Sequence, residues 1–246
     1  GYNSIKYFNA MQLPFFYEEN LPAKKNFMLS EETSRHIVQV LRMHENENLI
    51  ITNGEGQVLT ATLIKANRKN AEVEITNKSF IAKPASKISI AISLIKNTNR
   101  FEWFLEKATE IGVSEIIPVI CGRTEKQHFR YDRMKNIVIT AMLQSQQSWL
   151  PLLQVPVVID ELIKNAEQQN KYIAHCVDDK RMNLGSEKKP EGEQIILIGP
   201  EGDFTKDEIE AALKNNYIPV SLGQTRLRTE TAGIVAAVLL LHKSGN

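Results

Sequence analysis

From Met11 to about Phe80 the apolar and polar positions read as short strands with one helix, and the rest of the chain changes rhythm. Leu13-Pro14-Phe15-Phe16-Tyr17 predicts a first strand, with Pro14 tolerated at a sheet edge. Ser30 stands as N-cap before Glu31 and Glu32, with Ile37, Val38 and Leu41 at helical spacing. Leu49-Ile50-Ile51-Thr52 runs into Asn53-Gly54-Glu55-Gly56, a hairpin signal. Val58, Thr60 and Thr62 then alternate with Leu59, Ala61 and Leu63, and Ala71 to Thr76 alternates likewise. The pattern predicts a small, mostly antiparallel, barrel-like domain over residues 11–82. A composition break from Ile81 to Ser86 reads as a linker to a second domain over 86–246. There, apolar runs at Ile88–Ile95, Ile116–Ile120, Lys171–Cys176, Gln194–Ile198 and Tyr217–Leu222 predict strands. Helical patterns lie between them, over Asn99–Ile111, Tyr131–Ser148 and Thr205–Asn215, and a final apolar helix runs to Leu241. Strands alternating with helices imply an α/β unit with a mostly parallel sheet covered on both faces.

Composition narrows the partners without naming one. The 246 residues carry a net charge of +1, with 42% hydrophobic and 24% charged residues, which excludes a disordered or collagen-like chain and a polycationic nucleic-acid binder. Two cysteines, Cys121 and Cys176, cannot build a disulfide-dense secreted scaffold, so the cytoplasm is the expected compartment. The five histidines show no ligand spacing typical of zinc, and no metal is expected. The run Ala232–Leu241 is too short to cross a membrane. Residues 1–10 precede the first methionine, Met11, and are expected to be an upstream remnant outside the fold.

Two glycine-bearing loops follow apolar strands. Ile195–Ile198 leads into Gly199-Pro200-Glu201-Gly202-Asp203-Phe204, after which Thr205 and Glu208 form a capping-box pattern. Leu222-Gly223-Gln224-Thr225-Arg226-Leu227-Arg228-Thr229-Glu230-Thr231 precedes the last helix. Glycines at the carboxyl ends of parallel strands permit close backbone approach to a ligand, although a tight turn alone would also explain them. Capping explains the threonines and Glu230, but cations at a helix N-terminus are unfavourable, so Arg226 and Arg228 call for an anion or a carboxylate such as Glu201. A third feature runs from Arg123 to Lys135, where Arg123, Lys126, Arg130, Arg133 and Lys135 outnumber Glu125 and Asp132 and interleave with Phe129 and Tyr131. That mixture suits RNA backbone contact with base stacking, or simply a solvated helix start.

Taken together and in order, these residues resemble the RsmE family, which methylates N3 of a uridine in the decoding region of 16S ribosomal RNA. The resemblance spans Met11 to about His242 and rests on four stretches. They are His36-Ile37-x-x-Val40-Leu41-Arg42-Met43, Lys107–Val113, Ile198–Gly202 and Leu227–Ala232. It implies a PUA-like RNA-binding barrel followed by a SPOUT methyltransferase domain with a C-terminal trefoil knot. It implies S-adenosylmethionine as cofactor, a homodimer, and 16S rRNA in the 30S subunit as partner. The implied cofactor contacts are Leu197, Ile198, Gly199, Pro200, Glu201, Gly202, Leu222, Gly223, Leu227, Arg228 and Thr229, with the loop after His175 as a third wall. Thr225 stands where the family usually has arginine, with Arg226 one later, and Leu143, Gln147 and Trp149 stand in a stretch that normally carries Glu and Arg.

The implied chemistry assigns roles to a few side chains. Uridine N3 is a poor nucleophile until its proton leaves, so Arg228 is expected to stabilise charge on the uracil while Glu201 or Glu230 orients the base or takes the proton. Arg42, Arg123, Arg130, Lys135 and Arg226 are the candidate RNA contacts. Two alternatives remain open from the residues: a SPOUT enzyme of other specificity, such as 2′-O-ribose methylation, and a non-catalytic RNA-binding assembly factor.

Overall fold

The computed structural model describes residues 13–125, 128–175, 182–184 and 191–242, and its chain divides into two compact units. The remnant expected at residues 1–10, the cation Lys126, and Cys176 with most of the loop after His175 lie outside the described residues.

The first unit comprises described residues up to Lys83 together with Gln146–Trp149. Its strands are β1 (Phe15–Tyr17), β2 (Asn26–Met28), β3 (Asn48–Thr52), β4 (Gln57–Lys65) and β5 (Glu72–Phe80), in the order β1-β3-β4-β5-β2. The β1–β3 pair is parallel and the others are antiparallel. The period-two pattern buries Leu59, Ala61 and Leu63 of β4 with Leu49, Ile51, Val73 and Phe16, while intervening residues face outward. Asn53 fixes the β3–β4 turn, its Oδ1 accepting from the amides of Glu55 and Gln57. Ser30 caps α1 (Glu31–Arg35) as expected, and the Glu18 carboxylate accepts from both its amide and its hydroxyl. The helix then widens to a π-turn over His36–Val40 and closes on Arg42 in the left-handed region at φ 52°. β2 carries no periodic signal at three residues and went unforeseen.

The second unit holds an eight-stranded sheet whose pairings are all parallel. Its central strands are β6 (Ile88–Ser93), β7 (Glu115–Ile120), β10 (Asn170–Ala174), β12 (Gln194–Ile198) and β13 (Ile218–Ser221). Short strands β8 (Leu152–Leu153), β9 (Val157–Val158) and β11 (Met182–Asn183) complete it. The order is β11-β13-β10-β12-β6-β7-β8, with β9 also on β7. β6 and β12 are buried along their whole length, as strands covered on both faces must be. Ile88, Ile90, Ile92 and Ile196 pack under α2 (Thr98–Ile111), α3 (Tyr131–Gln144) and α6 (Thr229–His242). Ala91, Ile195 and Leu197 pack on the opposite face with α4 (Ile159–Asn165) and α5 (Lys206–Lys214).

The helix expected to reach Ser148 stops at Gln144. Ser145 caps it, and Gln146 at φ 56° turns the chain into the segment that belongs to the first unit. There Ser148 O accepts from Gly56 N, and the Trp149 indole N–H donates to Ile81 O at 2.9 Å.

Candidate active site

Register decides where the two glycine loops meet. Ala174 of β10 pairs with Ile198 of β12 and with Val220 of β13, so three strands end level with one another. The loops leaving them enclose a cavity of about 940 Å³ at the carboxyl edge of the sheet, where open α/β sheets bind ligands. One wall is Ile198, Gly199, Pro200, Glu201 and Asp203, the other runs from Val220 through Thr229, and Ala174, His175 and Ala232 close the remainder.

The two walls are tied at their base. The Thr229 hydroxyl, buried at the start of α6, donates to Gly199 O at 2.9 Å. A Cβ on Gly199 would lie 3.1 Å from the Phe204 ring, so any larger residue there requires that ring to shift. Gly223 has the opposite character, with open space around it but φ at 146°, a conformation that L side chains rarely adopt. Arg226 and Arg228 both line the cavity and are exposed.

The sequence candidates separate. Ile198, Gly199, Pro200, Glu201, Leu222, Gly223, Arg226, Leu227, Arg228 and Thr229 come together around the cavity. Leu197 instead packs in the core on the α4–α5 face, and Gly202 faces the Arg123 stem. Glu230 is buried and pairs with Arg100 Nε of α2 at 3.6 Å, away from the cavity lining. Glu201 keeps its place in the wall, its Oε1 accepting from Lys96 N at 3.2 Å. Lys96 and Arg100, which sequence reasoning missed, sit at the carboxyl end of β6 and the start of α2. The strand-end rule could have found them.

The basic run after β7 is largely engaged within the protein. Arg123 Nη1 donates to Gly202 O at 2.7 Å and to Phe204 O at 3.2 Å. Arg133 makes two hydrogen bonds to the Glu102 carboxylate, at 2.6 and 3.0 Å, which hold that carboxyl below its usual range. Arg130 lines a separate groove between α2 and α3 with Lys107 and Glu110. Lys135 lies on α3, and Arg42 lies in the first unit at the end of the π-turn. Cys121 is no nucleophile. Burial, reinforced by the Glu208 carboxylate, pushes its thiol up to about 12. Among the described residues, no group of three or more His, Cys, Asp or Glu could hold a metal ion, and no helix is long and apolar enough to cross a membrane.

The cavity fits a ligand of nucleoside-cofactor size. It has the volume, apolar lining from Ile198, Val220, Leu222 and Leu227, backbone groups along both loops, and polar ends at Glu201 and Arg228. Comparison with known proteins gives the class. Residues 82–241 match the RNA methyltransferase domain, and residues 29–76 match the RNA methyltransferase PUA domain. A crystal structure of a probable rRNA-methyltransferase from Porphyromonas gingivalis superposes with a TM-score of 0.86 at 35% identity, covering 93% of this chain and 97% of that one. The ribosomal RNA small subunit methyltransferase E of Neisseria gonorrhoeae, bound to S-adenosyl methionine, superposes with a TM-score of 0.84 at 30% identity, covering 92% and 96%. The protein of the same name from Buchnera aphidicola subsp. Acyrthosiphon pisum (strain APS) is 28% identical over 247 residues, covering 96% of this chain and 95% of its own. The chain belongs to the ribosomal RNA small subunit methyltransferase E family.

Proposed function

We propose that the protein is an S-adenosylmethionine-dependent methyltransferase of small-subunit ribosomal RNA, acting in the cytoplasm on N3 of a uridine in the decoding region of 16S rRNA within the 30S subunit. Family membership supports the activity. The observation that carries the reading to this site is the cavity walled by two loops joined at Thr229 and Gly199, with Arg228 and Glu201 on its lining.

Bound S-adenosylmethionine supplies an electrophilic methyl group. The backbone from Ile198 to Glu201 and from Leu222 to Thr229 would hold it, and this chain's side chains prepare the base. Arg228 stabilises negative charge on a uracil oxygen as N3 loses its proton. Glu201 is the proton acceptor in this reading, because it lines the cavity whereas Glu230 is buried against Arg100. Geometry supplies much of the rate, since N3 must lie in line with the transferring methyl group. The base must leave its stack to reach the cavity.

The chain closes a trefoil knot in its C-terminal part. The placement of β13 between β10 and β11 and the tie from Thr229 to Gly199 support that topology. The working form is a homodimer. Its support is α6, apolar on every side (Thr229–His242) yet with Val238 37% exposed, beside α2, whose Trp103 is 43% exposed. Sedimentation at twice the chain mass is expected, and a monomer would contradict it. Transfer of labelled methyl from S-adenosylmethionine to purified 30S subunits tests the whole reading. Incorporation into 16S rRNA is expected, and its absence from both 30S subunits and naked 16S RNA would overturn the function.

A further inference from the structure

Asp203 carries the one backbone outlier in the first wall of the cavity, a left-handed φ of 65° in a residue other than glycine. Aspartate adopts it more readily than most residues, and here its surroundings hold it there, its own Oδ1 accepting from Phe204 N at 2.7 Å. Those surroundings are specific here. The carbonyls on either side of Asp203, Gly202 O and Phe204 O, both accept from the single nitrogen Nη1 of Arg123. One residue further on, the carboxylate of Glu208, 6% exposed, divides its two oxygens between loops. Oε2 accepts from Thr205 N at 2.7 Å and Oε1 accepts from Gly122 N at 2.6 Å. Arg123 and Gly122 are neighbours in the loop after β7, so that loop grips the first wall on either side of Asp203 through Arg123 and just beyond it, at Thr205, through Glu208.

We propose that Arg123 and Glu208 are positioning residues for cofactor binding: together they hold the segment Gly199–Phe204 in its binding-ready form, and Arg123 is not an RNA phosphate contact. This rests on S-adenosylmethionine being the occupant of the cavity. Capping alone does not account for Glu208, because a capping-box glutamate needs one oxygen for the N-cap amide and here the second reaches another loop. A phosphate contact does not account for Arg123, whose stem packs 3.3 Å from the position of a Cβ on Gly202 and whose nitrogen is held by two carbonyls. When part of a population holds the competent form, the apparent dissociation constant rises by the inverse of that fraction. Loosening the fastening should therefore weaken cofactor binding.

Four measurements test it. Titration calorimetry with S-adenosylmethionine should show Arg123→Ala binding about tenfold more weakly, a competent fraction near one tenth. Arg123→Lys, which can still donate to both carbonyls, should recover most of the loss. Glu208→Gln, left with one acceptor oxygen for two amides, should weaken binding as well. Turnover at saturating cofactor should fall less than the affinity does, and the salt dependence of RNA binding should be unchanged. Amide exchange across residues 199–205 of the free protein reads the fastening without any cofactor, and it should be faster in Arg123→Ala. Unchanged exchange there would overturn the proposal, and so would cofactor affinity within twofold of the parent together with a salt slope reduced by about one. If the unaltered protein failed to bind S-adenosylmethionine while the exchange result held, the cofactor reading would fall and the fastening would stand.

Discussion

The two walls of the cavity are built on opposite principles. The loop from Gly199 to Phe204 is fastened by Arg123, by the Lys96 amide on Glu201 and by the Thr229 hydroxyl on Gly199, with Glu208 holding Thr205 just beyond it. The loop from Leu222 to Arg228 exposes Gly223, Gln224, Thr225, Arg226 and Arg228, and its local contacts include the short exchange between Ser221 and Gly223. A wall that is rigid before binding lowers the cost of ordering and favours a ligand common to every turnover. An exposed wall carrying two arginines suits a partner that arrives and leaves, as an RNA does. In the proposed reading both loops hold the cofactor through their backbones, the first already set for it, and the exposed arginines of the second meet the substrate.

The largest test of that division is Arg228→Ala. Turnover should fall by roughly 10² to 10³, the loss seen when one charge-stabilising donor is removed, while cofactor affinity stays within about threefold. Single-turnover methylation beside calorimetry checks both, and near-parent turnover would break the assignment. Thr229→Val should act on both walls at once. It leaves Gly199 O without its donor at a buried junction, a loss of about 1–3 kcal/mol that lowers the melting temperature and weakens cofactor binding together. If only RNA affinity changed, the junction would not be the shared base described here.

Arg226→Ala should spare the cofactor and the fold. RNA binding should weaken a few-fold, with the salt slope reduced by about one counterion. The smallest effect concerns Cys121, whose thiol is raised from an ordinary 9.0 to about 12 by burial, then by the Glu208 carboxylate. The unfolded thiol loses its proton at lower pH than the folded one, so this group supports the fold fully below about pH 9. That support is lost as pH rises towards 12. Alkylation of the native protein at pH 8, followed by peptide mapping, should leave Cys121 unmodified. Rapid labelling would show that the loop after β7 opens readily.

Much of the fold was legible because local signals agreed with the tertiary ones. Gln194–Ile198 as a strand and Thr205 with Glu208 as a capping box both rest on chemistry within a few residues. The cavity-lining members of the two loops were legible for the same reason, since each follows an apolar strand. What escaped depends on partners far along the chain. The two carbonyls that Arg123 donates to lie 79 and 81 residues away and cannot be seen from the basic run that contains it. Glu230 read as a carboxylate that orients the base or takes its proton because Arg100, on another helix, is invisible from the loop. The helix over Tyr131–Ser148 was drawn too long because Gln146, Gln147 and Ser148 are compatible with a helix, and only their place in the first unit shows why the chain turns at Gln146.

Identification of the modified nucleoside tests the central claim most directly. 16S rRNA methylated by the purified protein in 30S subunits should be digested to nucleosides and resolved by mass spectrometry against authentic standards. The account predicts N3-methyluridine in the decoding region, formed far more slowly by Arg228→Ala. A methyl group on a ribose 2′-oxygen, or on another base, would contradict it.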